Sequence, residues 1–158
     1  MKRHALIAVS ILSLALPCLA ATPGIAAAKP SIVEIRAVVP CPGNAPQAGV
    51  INQQDGRRIC LAPQIVIKDA DLIQAYRGKT AQSADALELK FSPVAAAGFR
   101  QFTAKHINER LAFLVDGKVI TAPKIMMPIF GDKVEITGDG LTIADIDAVV
   151  ARLHKGAP

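Results

Sequence analysis

Apolar and polar positions alternate along several short stretches of the 158-residue chain. Residues 31–39 and 85–91 have the two-residue period of a half-buried β-strand. Residues 59–67 predict another strand region, and Pro63 within it favours an edge position or a bend because proline cannot donate to a strand ladder. Residues 133–137 predict one more short strand. The pattern therefore indicates a sheet assembled from short strands.

The clearest local signal lies in residues 110–123, where Asp116 and Gly117 separate two apolar runs. Both central positions of a two-residue hairpin turn need a positive φ, and Asp-Gly is a favoured pair there. This turn predicts that Phe113 faces Ile120 across the hairpin, with that stripe toward the core. Asp116 and Gly117 are therefore assigned a structural role.

Capping residues predict the helices. Ser92 is a side-chain cap followed by proline at the first helical position. Thr142 and Asp145 are spaced as a capping box before the last apolar stripe. Asp69 is predicted to cap a short helix over 70–76. About five strands and two to three helices in mixed order predict an α+β fold, with a mixed or antiparallel sheet and the helices packed on one face.

The amino-terminal region has the parts of a secretory signal peptide. Lys2 and Arg3 precede an apolar run over 5–16, which is too short to span a bilayer, and small residues surround a cleavage site after Ala20. A periplasmic or secreted domain without a membrane span is therefore expected. The chain divides into a signal peptide, a flexible leader and one domain, over 1–20, 21–30 and 31–158.

The three cysteines allow a lipid anchor and a disulfide to be considered. Cys18 would be the lipidated residue of a lipoprotein, but Pro17 stands where such signals need a small residue, so this alternative is disfavoured. Cys41 and Cys60 form an even pair in an exported chain, which indicates a disulfide. Free thiols and a metal site are the alternatives, although zinc needs further ligands. The bridge would tie the ends of 42–58, a Pro-, Gly- and Asn-containing loop that is predicted to be exposed.

Composition argues against a nucleic-acid partner. The chain has no Trp and one Tyr, so base stacking on aromatic side chains is poorly supplied. Without Lys2 and Arg3, 16 basic residues stand against 13 acidic ones, a net charge of +3. These basic residues are scattered along the sequence, which is typical of a mixed solvated surface.

The sequence contains no recognised catalytic motif. His106 and His154 fall near predicted helix ends, where the helix dipole favours a cation. The paired acids lie at predicted helix starts, where the same dipole favours negative charge. No catalytic residue, metal site or cofactor is predicted. An enzyme with an unrecognised site is kept as a third alternative, behind two kinds of binding protein.

One apolar stretch is a candidate for partner binding. Met126, Met127, Ile129 and Phe130 lie beside a proline and a glycine. Adaptable methionines suit surfaces that bind varied partners. The alternative, which the sequence favours, is that these four side chains belong to the core.

The hairpin also carries a resemblance to a known family. Phe-Thr at 102–103, the run over 110–123 and Ile-Thr-Gly at 136–138 precede a final helix. This pattern resembles the head subdomain of the first large periplasmic domain of SecD, over about residues 31–158. Two departures are the stretch 126–132, which replaces a more glycine-rich segment, and the added loop between Cys41 and Cys60.

The resemblance implies a non-enzymatic module that contacts the emerging preprotein and swings relative to a base. We therefore expect an exported, monomeric binding module whose partner is a polypeptide or an envelope protein, such as the Sec translocase. Membrane spans and the base subdomain are missing from the pattern, so proton movement is not expected. The alternative is a secreted inhibitor or interaction protein that acts through loop 42–58.

Overall fold

The protein is described by a computed structural model over residues 31–44, 49–52, 54–81 and 84–155. The predicted signal peptide and leader lie outside the described residues. Within these residues the chain forms eight strands and two α-helices. In chain order they are β1 (Val33–Val39), β2 (Val50–Ile51), β3 (Arg58–Lys68), β4 (Leu72–Lys79), β5 (Asp85–Phe91), α1 (Pro93–Lys105), β6 (Leu111–Val115), β7 (Lys118–Thr121), β8 (Lys133–Ile136) and α2 (Ile143–Lys155).

The strands form two antiparallel sheets. The first has five strands in the order β2-β3-β1-β6-β7, and the second has three in the order β4-β5-β8. The predicted α+β class is confirmed, and the first sheet has the predicted number of strands. Neither helix in the described part of the chain combines the length and apolar character that a membrane crossing requires.

Strand β6 lies at the centre of the packing, because all five of its residues are buried. Successive side chains of a strand point to opposite faces, so a wholly buried strand must contact apolar groups on both sides. Leu111, Phe113 and Val115 join the main core, while Ala112 and Leu114 join a smaller cluster. The main core also takes side chains from both sheets and both helices, including Ile35, Leu87, Leu89, Phe91, Phe99, Ile136, Ile146 and Val149.

The smaller cluster lies where the two edges of the five-stranded sheet approach each other. A parallel bridge joins Asn52, which follows β2, to Val119 of β7. Val119 packs there with Ile59 and Leu114. The prediction of an exposed loop over 42–58 is therefore wrong in part, since this segment contributes a strand and the fully buried Asn52.

The predicted disulfide is confirmed. Cys41 and Cys60 are bridged, with their Cα atoms 5.1 Å apart. Cys60 pairs with Val39 at the end of β1, so the bridge lies beside an existing strand pair. Such a link restricts the unfolded chain more than the folded one, which is how disulfides stabilise small domains.

The predicted helix over 70–76 is wrong. A single 3-10 turn spans Asp69–Asp71, and the chain then continues as β4, which pairs with β5. The carboxylate of Asp69 accepts hydrogen bonds from the backbone N–H groups of Ile32 and Val33, at 2.7 and 2.8 Å. Asp69 therefore fixes the start of β1 instead of capping a helix of its own.

The hairpin turn is confirmed, with a change in its register. Asp116 and Gly117 have φ angles of 49° and 75°, as the two-residue turn requires. Ile120 is an extra residue in β7, a β-bulge, so Phe113 lies opposite Thr121 and the prediction that Phe113 faces Ile120 is wrong. Phe113 and Ile120 nevertheless both reach the main core.

Both long helices begin at the predicted caps. The Ser92 hydroxyl accepts a hydrogen bond from the Ala95 amide at 3.2 Å. The Asp145 carboxylate accepts from the Thr142 amide at 2.9 Å, and the Thr142 hydroxyl oxygen accepts from the Asp145 amide at 3.2 Å. These bonds satisfy N–H groups that a helix start leaves without intrahelical partners.

Replacing Gly117 by alanine tests the hairpin turn. A side chain at φ 75° is strained, so Gly117→Ala is expected to lower the free energy of unfolding by about 1 kcal/mol. Gly98 in α1 is the matched control, because a methyl group there meets nothing within 4 Å. Gly98→Ala is expected to raise stability by about 0.5–1 kcal/mol through helix propensity. Urea denaturation followed by circular dichroism measures both, and equal effects of the two substitutions would contradict the turn.

Candidate functional site: an exposed apolar loop

The segment 126–130, called here the apolar loop, connects the β6–β7 hairpin to β8. Three of its side chains are exposed: Met126 by 71%, Met127 by 67% and Phe130 by 65%. Ile129 is half-buried and packs against the main core. The interpretation of these residues as core is therefore wrong for Met126, Met127 and Phe130. Their role in binding stays a prediction.

Backbone pairing fixes the approach to the apolar loop. After β7 the chain runs back along the residues that precede β6, and the Leu111 amide donates to the Pro123 carbonyl at 3.0 Å. Ile125 continues this pairing, since its amide donates to the Glu109 backbone carbonyl at 2.7 Å and its carbonyl accepts from the Asn108 amide at 2.8 Å. The Ile125 side chain is buried, so the loop leaves the core from a fixed position.

A buried threonine holds the other side of the loop. Thr103 on α1 is fully buried, and its hydroxyl donates to the Arg100 carbonyl at 3.1 Å. The same oxygen accepts a hydrogen bond from the Ile129 amide at 3.0 Å. Beyond the loop, the Asp132 carbonyl accepts from the Phe91 amide at 2.7 Å. Met126 and Met127 thus lie between the tethered backbone of Ile125 and Ile129, and Phe130 lies between Ile129 and Asp132.

A cation lies against the aromatic ring of the loop. The guanidinium carbon of Arg100 is 4.6 Å from the centroid of the Phe130 ring. A cation over a ring face is attracted by the ring's quadrupole, which favours one orientation of the side chain. Phe130 is therefore positioned by α1 although most of its surface is open to solvent.

Removing the Thr103 hydroxyl tests the second tether. Thr103→Val keeps the shape but leaves the Ile129 amide without its acceptor, at a cost of about 1 kcal/mol in stability. Thr103→Ser keeps the hydroxyl and is the control. We expect faster hydrogen exchange at the Ile129 amide in Thr103→Val and not in Thr103→Ser, measured by NMR. Equal exchange in the two variants would contradict the tether.

A concave surface, separate from the apolar loop, lies between β3 and α1. It is a shallow groove of about 200 Å³. Its lining is mainly apolar and comprises Gln64, Ile65, Val66, Asp71, Ala95, Gly98, Phe99 and Phe102. Asp71 is the ionisable residue of this lining, and its carboxylate accepts a hydrogen bond from the Lys68 amide at 2.9 Å. The groove therefore presents no pair of acids for proton transfer.

The two histidines among the described residues lie where the sequence predicts, at helix ends. His106 follows α1, stacks on Phe102 with ring centroids 4.0 Å apart, and contacts the Glu109 carboxylate at 2.8 Å. His154 is exposed near the end of α2. Within the described ranges, three or more His, Cys, Asp or Glu side chains nowhere converge as a metal site would require.

An ion pair joins the hairpin turn to α2, and sequence reasoning missed it. The Arg152 guanidinium donates to both carboxylate oxygens of Asp116, with Nη1 at 2.8 Å from Oδ2. The hydrogen bond from Arg152 holds the pKa of the Asp116 carboxyl below its ordinary value of 3.8. The two residues are 36 positions apart, so only folding brings them together. Asp116 thus links two elements besides forming the turn.

Arg152→Gln tests this ion pair through pH. A carboxylate with a lowered pKa in the folded state adds stability above its unfolded pKa, and this contribution is lost as pH falls through the folded value. Because both side chains are partly exposed, the substitution is expected to cost about 0.5 kcal/mol at pH 7 and low salt. The difference from the unsubstituted protein should disappear below the lowered pKa of Asp116.

Arg77→Gln is the control for this measurement. Arg77 is joined to Asp147, which lies on α2 as Arg152 does, by a single contact of 3.0 Å, whereas Arg152 makes two hydrogen bonds to Asp116. Urea titrations from pH 7 downward measure both variants. A pH-independent cost for Arg152→Gln would indicate lost packing rather than lost charge.

The family model and the related sequences that match this chain all belong to SecD or SecDF. The family described as the SecDF P1 head subdomain matches residues 47–157, which is 111 of the 158 residues. Protein translocase subunit SecD of Aquifex aeolicus is 35% identical over 95 residues, covering 60% of this chain and 19% of that protein. The same subunit of Rhodobacter capsulatus is 38% identical over 92 residues, covering 58% of this chain and 16% of that protein. The chain therefore spans under a fifth of these relatives.

Solved structures share the fold. A structure of SecDF, described as a membrane component that enhances protein export, superposes with a TM-score of 0.62 at 22% identity. That match covers 80% of this chain and 63% of the other. SecDF in its super-membrane-facing form gives a TM-score of 0.61 at 20% identity, covering 80% of this chain and 19% of the other. At these identities the likeness concerns the architecture alone.

Proposed function

We propose, from the premise that this chain belongs to the SecDF P1 head subdomain family, that it serves protein export outside the cytoplasm as a non-enzymatic binding module. Its ligand would be unfolded polypeptide, held at the apolar loop. The observation that carries the proposal is the exposure of Met126, Met127 and Phe130 on a segment whose backbone is tethered at Ile125, Ile129 and Asp132.

The chemistry of the loop suits unfolded polypeptide. An unfolded chain presents apolar side chains in varied sequence, and methionine adapts to varied shapes because it is unbranched, flexible and polarizable. Phe130 adds a large apolar surface that Arg100 keeps in place. The tethers mean that little backbone must be ordered on binding, which lowers the entropic cost of association.

Contact with the Sec translocase is part of this proposal, since the SecD relatives are named protein translocase subunits. The alternative of an inhibitor acting through loop 42–58 is not favoured. The described part of that loop contributes β2 and the buried Asn52 to the five-stranded sheet, which is a structural use of the segment.

Replacing the exposed apolar side chains tests the proposal. Met127→Ser combined with Phe130→Ser is expected to weaken binding of a fluorescently labelled, reduced and unfolded polypeptide by about tenfold or more. Complete burial of one such side chain is worth about 1.5–3 kcal/mol, and about 1.4 kcal/mol corresponds to tenfold in affinity. Fluorescence anisotropy of the labelled polypeptide measures the dissociation constant.

Ile73→Ser is the matched control for this experiment. Ile73 is 58% exposed on β4, outside the apolar loop. Its substitution removes a comparable exposed apolar side chain and is expected to leave binding unchanged. Circular dichroism establishes that all variants fold. Equal binding by the loop variant and the control would overturn the proposal.

A further inference from the structure

We propose that the apolar loop is a site of methionine oxidation, and that conversion of Met126 and Met127 to sulfoxides switches off its apolar character. The chain has three methionines, and apart from Met1 they are these two neighbours. The oxidisable thioethers of the described residues are thus concentrated in the one loop that presents large apolar side chains. The consequence for binding rests on the proposed function, while the modification itself does not.

The side chains that carry the two sulfur atoms are open to solvent. Met126 and Met127 are 71% and 67% exposed, so an oxidant reaches them without any opening of the fold. A buried methionine reacts only when the chain around it moves. The backbone tethers at Ile125 and Ile129 lie on either side of the two methionines.

Competing targets are few in the described part of the chain. Cysteine thiolates react with peroxides, but Cys41 and Cys60 are joined in a disulfide and offer no thiol. Tryptophan is absent from the sequence. A two-electron oxidant that meets this domain therefore finds its most reactive groups at Met126 and Met127.

The step is a two-electron oxygen transfer from an oxidant of the peroxide class. The thioether sulfur attacks one peroxide oxygen, an S–O bond forms and the O–O bond breaks. Sulfur is oxidised to the sulfoxide, and hydrogen peroxide is reduced to one molecule of water. No further reactant or reductant is needed.

The product changes the surface and leaves the fold unchanged. A sulfoxide is polar and accepts hydrogen bonds, so it stays in water where the thioether would leave it. The tethers of the loop use the Ile125 and Ile129 backbone and the Thr103 hydroxyl, and the exposed sulfur atoms belong to neither. Oxidation should therefore weaken binding without destabilising the domain.

Hydrogen peroxide treatment of the purified protein tests the modification. Peptide mass spectrometry is expected to find one added oxygen on each of Met126 and Met127, at a rate within about threefold of a methionine in an unstructured peptide. The melting temperature should stay unchanged. Oxidation more than tenfold slower than in the peptide, or a fall in melting temperature as oxygen is added, would overturn the proposal.

Two double variants test the consequence for binding of the labelled unfolded polypeptide. Met126→Leu with Met127→Leu keeps the apolar surface and should bind as the unsubstituted protein does, before and after peroxide. Met126→Gln with Met127→Gln imitates the polar product and should bind as weakly as the oxidised protein. Weakened binding of the leucine variant after peroxide would show that another group is the target, and would overturn the proposal.

The same measurements separate this inference from the proposed function. If the untreated protein does not bind unfolded polypeptide but both methionines oxidise at the expected rate, the proposed function fails and the modification site stands. If the untreated protein binds and peroxide leaves its affinity unchanged although both sulfoxides have formed, the switch fails and the proposed function stands.

Discussion

The burial of β6 on both of its faces is the constraint on which the rest of the structure depends. A strand with no polar face needs apolar groups on both of its sides, and β6 is also flanked in the sheet by β1 and β7. Its alternating side chains consequently divide between the main core and the smaller cluster. The residues just before β6 also bind the backbone of Ile125. The start of the apolar loop is therefore fixed by backbone pairing with the residues that lead into β6.

The tethers explain why large apolar side chains stay in water. The backbone of Ile125 pairs with the residues before β6, and its side chain is buried. Four residues later, the Ile129 amide binds the Thr103 hydroxyl and the Ile129 side chain packs against the core. Met126 and Met127 lie between these two points and are 71% and 67% exposed. Exposed apolar surface of this kind is what the proposed binding of polypeptide would use.

Local signals were predictable from the sequence, and contacts between distant residues were not. The Asp-Gly turn and the caps at Ser92 and Thr142 depend on residues within four positions of each other, so the sequence specifies them directly. The helix prediction over 70–76 failed because the Asp69 carboxylate binds amides 36 and 37 positions away and the following residues pair with β5. The bulge at Ile120 likewise depends on how β7 pairs with β6. The exposure of the methionines could not be read from their apolar character, which favoured the core.

The candidate site separates the groups that hold the loop from the groups that would act. The former are backbone atoms, the Thr103 hydroxyl and the Ile125 side chain; the latter are Met126, Met127 and Phe130. Exposed side chains that touch little of the fold contribute little to its stability, so their chemistry can change while the domain stays folded. Substitution or oxidation of Met126 and Met127 therefore changes the surface alone, whereas substitution of Phe130 also removes its contact with Arg100 of α1.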